Sequence, residues 1–356
     1  MSTKINMMEV LKKSSTSKLS STLDTSELNT KLRWRTQLPA LNIALNGDIN
    51  GGLGNGLTIF AGPSKHFKSN MALCCVAAYL KANPEAVCIF YDSEFGITDT
   101  YLKSFKIDPA RVLHTPIEDI EQLKHDMSVQ LDNIKRGDKV IFLIDSLGNI
   151  ASNKEVEDAL KGESKADMTR AKSMKSFTRI VSNKLVLRDL PCVAVNHTYD
   201  TQEMFSKTVM SGGTGLTYNA HTIIIIGRRQ IKEGKEIVGW DFVLNVEKSR
   251  YVKEKSKISI SVTYEGGICP WSGLLELSVE NGFVVKPSNG WYSRSFINEE
   301  TGEVVVETEK YRAKDTNNIK FWAALMKHKP FVEAIDATYK LKAITTESID
   351  FEDDDE

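Results

Sequence analysis

The stretch Ile59–Leu80, IFAGPSKHFKSNMALCCVAAYL, decides the fold. It opens on an apolar run, turns through Gly62, Pro63, Ser64, Lys65, His66 and Phe67, and resumes at Lys68, Ser69 and Asn70 as a small-residue apolar pattern. A strand, a tight turn and a helix whose first N–H groups face the turn form an anion cradle. Lys68 adds a charge for phosphate and Ser69 a hydroxyl for Mg2+. The G-x-x-x-x-G-K-[ST] pattern wants glycine just before the lysine, and Phe67 stands there instead. Glycine is indispensable only where φ must be positive, so the reading requires a negative φ at Phe67.

Working outward, short apolar runs alternate with helical stretches from about residue 36 to 265. In order they are LTIFAG, a helix over 68–81, AVCIFYD, a helix near 118–136, KVIFLID, a helix near 167–183, PCVAVNH and HTIIIIG. Continuous apolar strands separated by helices imply a parallel sheet covered on both faces, hence an α/β core. WDFVLNVEKSR and KISISVTYEGG follow with little helix between them and predict antiparallel strands at the sheet edge. Residues 1–35 read as an N-terminal arm with a short helix at about 5–13 and a polar linker, and 36–268 as the core. Residues 269–345 read as a small α+β domain with helices near 272–281, 316–327 and 330–342 and a hairpin around NEETGEV. Residues 346–356 form an acidic tail too charged to fold.

Composition sets limits on function. A chain of 356 residues with 41% hydrophobic and 26% charged residues is an ordinary globular composition, and a net charge of -1 gives no global attraction to nucleic acid. Any basic surface is therefore local. Cys74, Cys75, Cys88 and Cys192 lie in apolar runs, as buried thiols of a reducing compartment do, and no metal-ligand spacing joins them. No apolar run approaches the ~20 residues of a membrane span, so an intracellular, soluble protein is expected.

Three further strands end in polar groups. KVIFLID ends in Asp145, at the carboxyl edge where α/β sheets bind ligands and where a carboxylate would hold Mg2+ through water; the plain alternative is a cap for the next helix. CIFYDSEFG offers Glu94, or else Asp92, to orient or deprotonate a water attacking a phosphate. CVAVNH ends in His197, within reach of the same phosphate. The basic run from Lys248 and Arg250 through Lys253, Lys255 and Lys257 reads by itself as a solvated edge strand.

The segments LNIALNGDINGG, GPSKHFKSN, YDSEFGIT, FLIDSLGN, AVNHTYDTQEMFSKTVMSGGTG, NVEKSR, NGWYSRSF and YRAKDTN together resemble the RecA family of strand-exchange recombinases, and within it the UvsX recombinases of large tailed phages. Phenylalanine before the lysine is part of that phage pattern. The resemblance implies a DNA-dependent ATPase using Mg2+ and ATP, giving ADP or also AMP. It would form a helical filament on single-stranded DNA, pair it with homologous duplex and exchange strands in the cytoplasm of an infected bacterium. A phage single-strand binding protein and a loading mediator are the further partners implied. By this resemblance Glu94 activates the water, Tyr101 stacks on adenine, and His197 stands where bacterial RecA proteins carry a phosphate-sensing glutamine. Lys248 and Arg250 reach the ATP of a neighbouring subunit. The arm packs on that neighbour, and the acidic tail tunes access to DNA. Two loops, 151–167 and 198–213, would hold DNA, the second with Phe205 and Lys207 between strand and a Gly212–Gly213 hinge, and Arg170, Lys172 and Lys175 following the first. A ring-forming helicase would need an N-terminal collar for which the short arm leaves no room, and a non-catalytic mediator would not need Glu94 beside Asp145.

Overall fold

Strands and helices alternate through the first half of the computed structural model, which describes residues 6–29, 32–162, 168–201 and 208–341. The arm carries α1 (Met7–Ser14), and α2 (Pro39–Asn46) leads into the core. There follow β1 (Gly56–Ala61), α3 (Lys68–Ala82), β2 (Val87–Asp92), α4 (Asp99–Ser104), β3 (Val112–Pro116), α5 (Ile120–Asn133) and β4 (Val140–Asp145). Then come α6 (Asn153–Leu160), α7 (Thr169–Arg188), β5 (Pro191–Asn196), β6 (Thr198–Asp200), β7 (Thr208–Met210) and α8 (Thr214–Asn219). The edge strands are β8 (Thr222–Glu233), β9 (Glu236–Ser249), β10 (Lys257–Thr263) and β11 (Gly267–Ile268). The remainder comprises α9 (Leu274–Glu280), β12 (Val284–Ser288), β13 (Trp291–Ile297), β14 (Val304–Val306), β15 (Tyr311–Arg312), α10 (Ile319–Lys327) and α11 (Lys329–Tyr339).

One nine-stranded sheet runs in the order β11-β10-β9-β8-β1-β5-β4-β2-β3. Strands β8, β1, β5, β4, β2 and β3 pair in parallel, while β9, β10 and β11 continue the edge antiparallel. The α/β core expected from the alternation is borne out, with its antiparallel edge. Strand side chains alternate between two apolar layers, which is why the runs are continuous rather than alternating in sequence. Leu57, Ile59 and Ala61 of β1 belong to one apolar layer with Leu123 and Met127 of α5 and Phe177 and Val181 of α7, whereas Phe60 belongs to the layer of α2 and α3.

Local signals fix the helix ends. Asp119 accepts from the N–H of Gln122 and starts α5, whose buried Ile120, Leu123, Met127 and Leu131 form one stripe. Helix α7 runs on to Arg188, beyond the expected end near 183, and closes at Asp189 in the left-handed conformation. Past the sheet edge, β12, β13 and β14 form an antiparallel sheet with β15 also on β13, and the hairpin turn falls at NEETGEV as expected. Phe321, Trp322 and Phe331 of the last two helices are fully buried in the same apolar layer as α2 and β9. One element was not legible: β6 and β7 pair as a small hairpin at the base of the loop read as 198–213. The tip of that loop, with Phe205 and Lys207, lies outside the described residues, as does the acidic tail at 346–356.

Candidate active site

Because β1, β5, β4 and β2 are neighbours in the sheet, the groups at their carboxyl ends converge. The turn after β1 begins at Gly62, where a Cβ would come within 2.9 Å of the Ile226 carbonyl on β8; the close approach of backbone requires glycine. Phe67 is the N-cap of α3 at φ 62°, ψ 20°. The negative φ expected there is wrong. The left-handed position costs an L-residue roughly 1–2 kcal/mol, and the Phe67 ring offsets this by stacking on Phe242, centroids 4.7 Å apart. Lys65 also has positive φ, so the loop keeps the shape that glycines usually supply. No side chain caps α3, which leaves its first N–H groups to an anion. His66 Nδ1 lies 2.9 Å from the Ser64 carbonyl, and burial lowers its pKa.

Lys68 is buried, and its ammonium donates to the Pro63 carbonyl at 2.8 Å, within the loop it would share with phosphate. Burial lowers its pKa, against the pull of Glu94 and Asp145. Burial also pushes Asp145 up to about 6, the carboxylates of Glu94 and Asp92 adding to the rise and the Ser69 hydroxyl and Lys68 opposing it. Its buried Oδ1 has no hydrogen-bond partner. An orphan carboxylate oxygen beside a hydroxyl is the donor set a hydrated Mg2+ takes, so these residues fit the ion. Tyr101 stands on α4 against Asn70 of α3 and the Phe105 ring, 36% exposed, and burial of its inner part raises its pKa.

Glu94 is fixed by one oxygen. Its Oε1 accepts from Ser146 Oγ at 2.6 Å, from Asn149 Nδ2 at 3.0 Å and from His197 Nε2 at 2.9 Å. The His197 hydrogen bond, helped by Ser146, holds the carboxyl below the usual carboxylate range against the effect of burial. Asp92, the alternative base, has no room for that task. It is buried, with Oδ1 accepting from the N–H groups of Glu94 and Phe95 and Oδ2 paired with His114, so it turns the chain and aims Glu94. Ser146 and Asn149 were not singled out in the sequence. The signal for them is the polar Ser-Leu-Gly-Asn run that directly follows Asp145.

His197 joins this cluster to the second loop. Its ring lies over Gly148, where a Cβ would be 2.5 Å from the ring carbon Cδ2. Its carbonyl accepts from the N–H of Ser211, and Asn196 Nδ2 donates to the Ser211 carbonyl, so the β6–β7 hairpin closes directly on the sheet end. Gly212 and Gly213 follow with φ 97° and 77°, values that glycine adopts freely and that suit the hinge reading. Lys172 and Lys175 are exposed on α7. Arg170 is placed differently from the expected DNA contact: Nε donates to the Ile150 carbonyl at 2.6 Å, and Nη2 to those of Gly148 at 2.6 Å and Leu147 at 3.3 Å. Lys248, on β9, donates to the carbonyls of Thr217 and Tyr218 at 2.8 Å each, at the C-terminal end of α8, and burial lowers its pKa. Arg250 is exposed.

Known proteins resemble the chain over most of its length. Residues 13–269 match the RecA N-terminal domain, and residues 271–335 match the domain described as Bacteriophage T4, Recombination and repair protein, C-terminal domain. The recombination and repair protein of Enterobacteria phage T4 is 58% identical over 338 residues, 95% of this chain and 86% of that one. RecA proteins of Chloroherpeton thalassium and Pseudarthrobacter chlorophenolicus are 26% and 27% identical, over 68% and 72% of this chain and 67% and 72% of theirs. A RecA model matched across the whole parallel sheet, a phage-type C-terminal domain behind it and the uncapped loop with Lys68 and Glu94 place the chain in the RecA family, on its UvsX branch.

Proposed function

We propose that this chain is a recombinase: a DNA-dependent ATPase that assembles as a helical filament on single-stranded DNA, pairs it with homologous duplex and exchanges strands. The observation that supports it best is the contact of Glu94 with His197, because it ties the group that would act on water to the base of a loop that would hold DNA. RecA-family membership supports nucleotide and Mg2+ dependence, DNA binding and filament formation. The host cytoplasm is the expected place of action; among the described residues no helix is long and apolar enough to cross a membrane. A phage single-strand binding protein and a loading mediator are the proposed protein partners.

In this mechanism the α3 N-terminus and Lys68 hold the β- and γ-phosphates, Ser69 and Asp145 hold Mg2+, and Tyr101 lies against the adenine. When held there, Mg2+ would supply charge neutralisation for the phosphate groups. Glu94 orients a water and accepts its proton as the water oxygen bonds to the γ-phosphorus and the bond to the ADP oxygen breaks. Lys248 and Arg250 of an adjacent copy stabilise the charge that develops, which makes hydrolysis depend on assembly. Lys172, Lys175, Lys207 and Phe205 contact the strand, and the Gly212–Gly213 pair serves as the hinge at the end of the second loop.

A strand-exchange assay with ATP and with a non-hydrolysable analogue tests the reading. Lys68→Ala is expected to lose ATP-dependent exchange. Glu94→Gln is expected to keep stable ATP-bound filaments while turnover falls by about 100-fold or more, the usual scale for a lost general base. Full exchange by Lys68→Ala would refute the site.

A further inference from the structure

Arg170 does not stand free at the start of α7. A guanidinium is a planar fork of donors, and here it is aimed inward at three carbonyls of the 147–150 turn rather than at solvent. Leu147 and Ile150 are buried and anchor the two ends of that turn. Between them Gly148 supports the His197 ring, and Asn149 reaches Glu94 Oε1. On the β4 side, Ser146 N–H donates to Ser93 Oγ while Ser146 Oγ donates to Glu94. The turn is therefore the seat of the Glu94 carboxylate, and Arg170 is the side chain that fixes the turn from outside.

We propose that Arg170 is a positioning residue for ATP hydrolysis: it holds the 147–150 turn so that Asn149 and Ser146, with His197, occupy one oxygen of Glu94 and leave the other to the attacking water. The inference rests on the reading of Glu94 as the water-activating group. A carboxylate free to rotate would present either oxygen in many directions, whereas three donors on one oxygen fix the direction of the other.

The test uses the full chain and two probes: a fluorescein-labelled oligothymidylate with a non-hydrolysable ATP analogue for DNA affinity, and ATP turnover on saturating poly(dT) for chemistry. Arg170→Ala and Asn149→Ala are expected to lower kcat about tenfold or more. KM for ATP and affinity for the oligothymidylate should stay within about twofold, and Arg170→Lys, which can reach some of the same carbonyls, should recover part of the rate. Asn149→Ala probes the same seat without touching α7, so it decides the matter if Arg170→Ala folds poorly. A tenfold loss of oligothymidylate affinity at unchanged kcat would make Arg170 a DNA contact and overturn the proposal. So would wild-type kcat in Asn149→Ala while Glu94→Gln is inactive. Wild-type turnover by Glu94→Gln would instead remove the reading of Glu94 on which the proposal stands.

Discussion

At Phe67 one side chain settles a conformation that its backbone resists. The left-handed φ is unfavourable, and the stack on Phe242, across the sheet edge on β9, is what retains it. Phe67→Ala keeps the strained φ and loses the stack, and should destabilise the fold by roughly 1–3 kcal/mol in urea unfolding. Phe67→Gly should recover about 1 kcal/mol of that loss, since glycine takes positive φ without strain. If glycine is no better than alanine there, the strain is not felt. Glu94 makes a second case. Its pKa is lowered chiefly by His197, and the active form is the carboxylate, so at saturating Mg2+, which would keep Asp145 ionised despite its raised pKa, the Glu94 limb of the rate should lie below the usual carboxylate range. His197→Ala removes the leading donor and should move the acid limb of kcat to higher pH. An unmoved limb in a kcat–pH profile would refute that coupling.

Elements transmit what these residues set. Lys248 donates to the last carbonyls of α8 from a neighbouring strand, a favourable place for a cation at a helix C-terminus. In the proposed filament the same ammonium would be drawn toward the ATP of the next subunit, and α8 follows the second loop directly. Lys248→Ala should thus raise amide hydrogen exchange over Thr214–Asn219 in the free chain, in addition to abolishing assembly-dependent hydrolysis. Unchanged exchange there would mean that the bond does not hold α8. The β6–β7 hairpin acts similarly for the other end of the loop: it passes from His197 to Ser211 with two hydrogen bonds at its root, so a change at the sheet end reaches the loop without crossing solvent.

For the whole molecule the arm is the conspicuous part. Helix α1 buries none of its residues, and Met7, Met8, Val10 and Leu11 are exposed along it. An apolar stripe on an exposed helix fits a neighbouring copy in the proposed filament better than solvent. Deleting residues 1–20 should leave the nucleotide site folded but abolish cooperative assembly. Electron microscopy with Mg2+, ATP and long single-stranded DNA would then show short or no filaments where the full chain forms continuous ones. Assembly by the deleted chain at wild-type cooperativity would exclude that role. The net charge of -1 makes DNA affinity depend on local cations, so binding should weaken steeply with added salt.

The parallel α/β core, its antiparallel edge, the turn between β1 and α3 and the carboxylates that end β2 and β4 were legible in the sequence, because apolar runs, helical period and glycine or proline turns are local properties of a chain. The conformation of Phe67 was not, since it depends on a ring contact with residue 242; nor was the brace of Arg170, which reads as a free cation until its carbonyl partners are known. What the sequence by itself determined is which chemical groups stand at the ends of which strands. Only the tertiary structure decided which of them share an oxygen: residues 94, 146, 149 and 197 meet because β2, β4 and β5 lie side by side, although β3 separates β2 from β4 along the chain. Hydrogen bonds act over about 3 Å, and Glu94 and His197, 103 positions apart, come within that distance only when the sheet has formed.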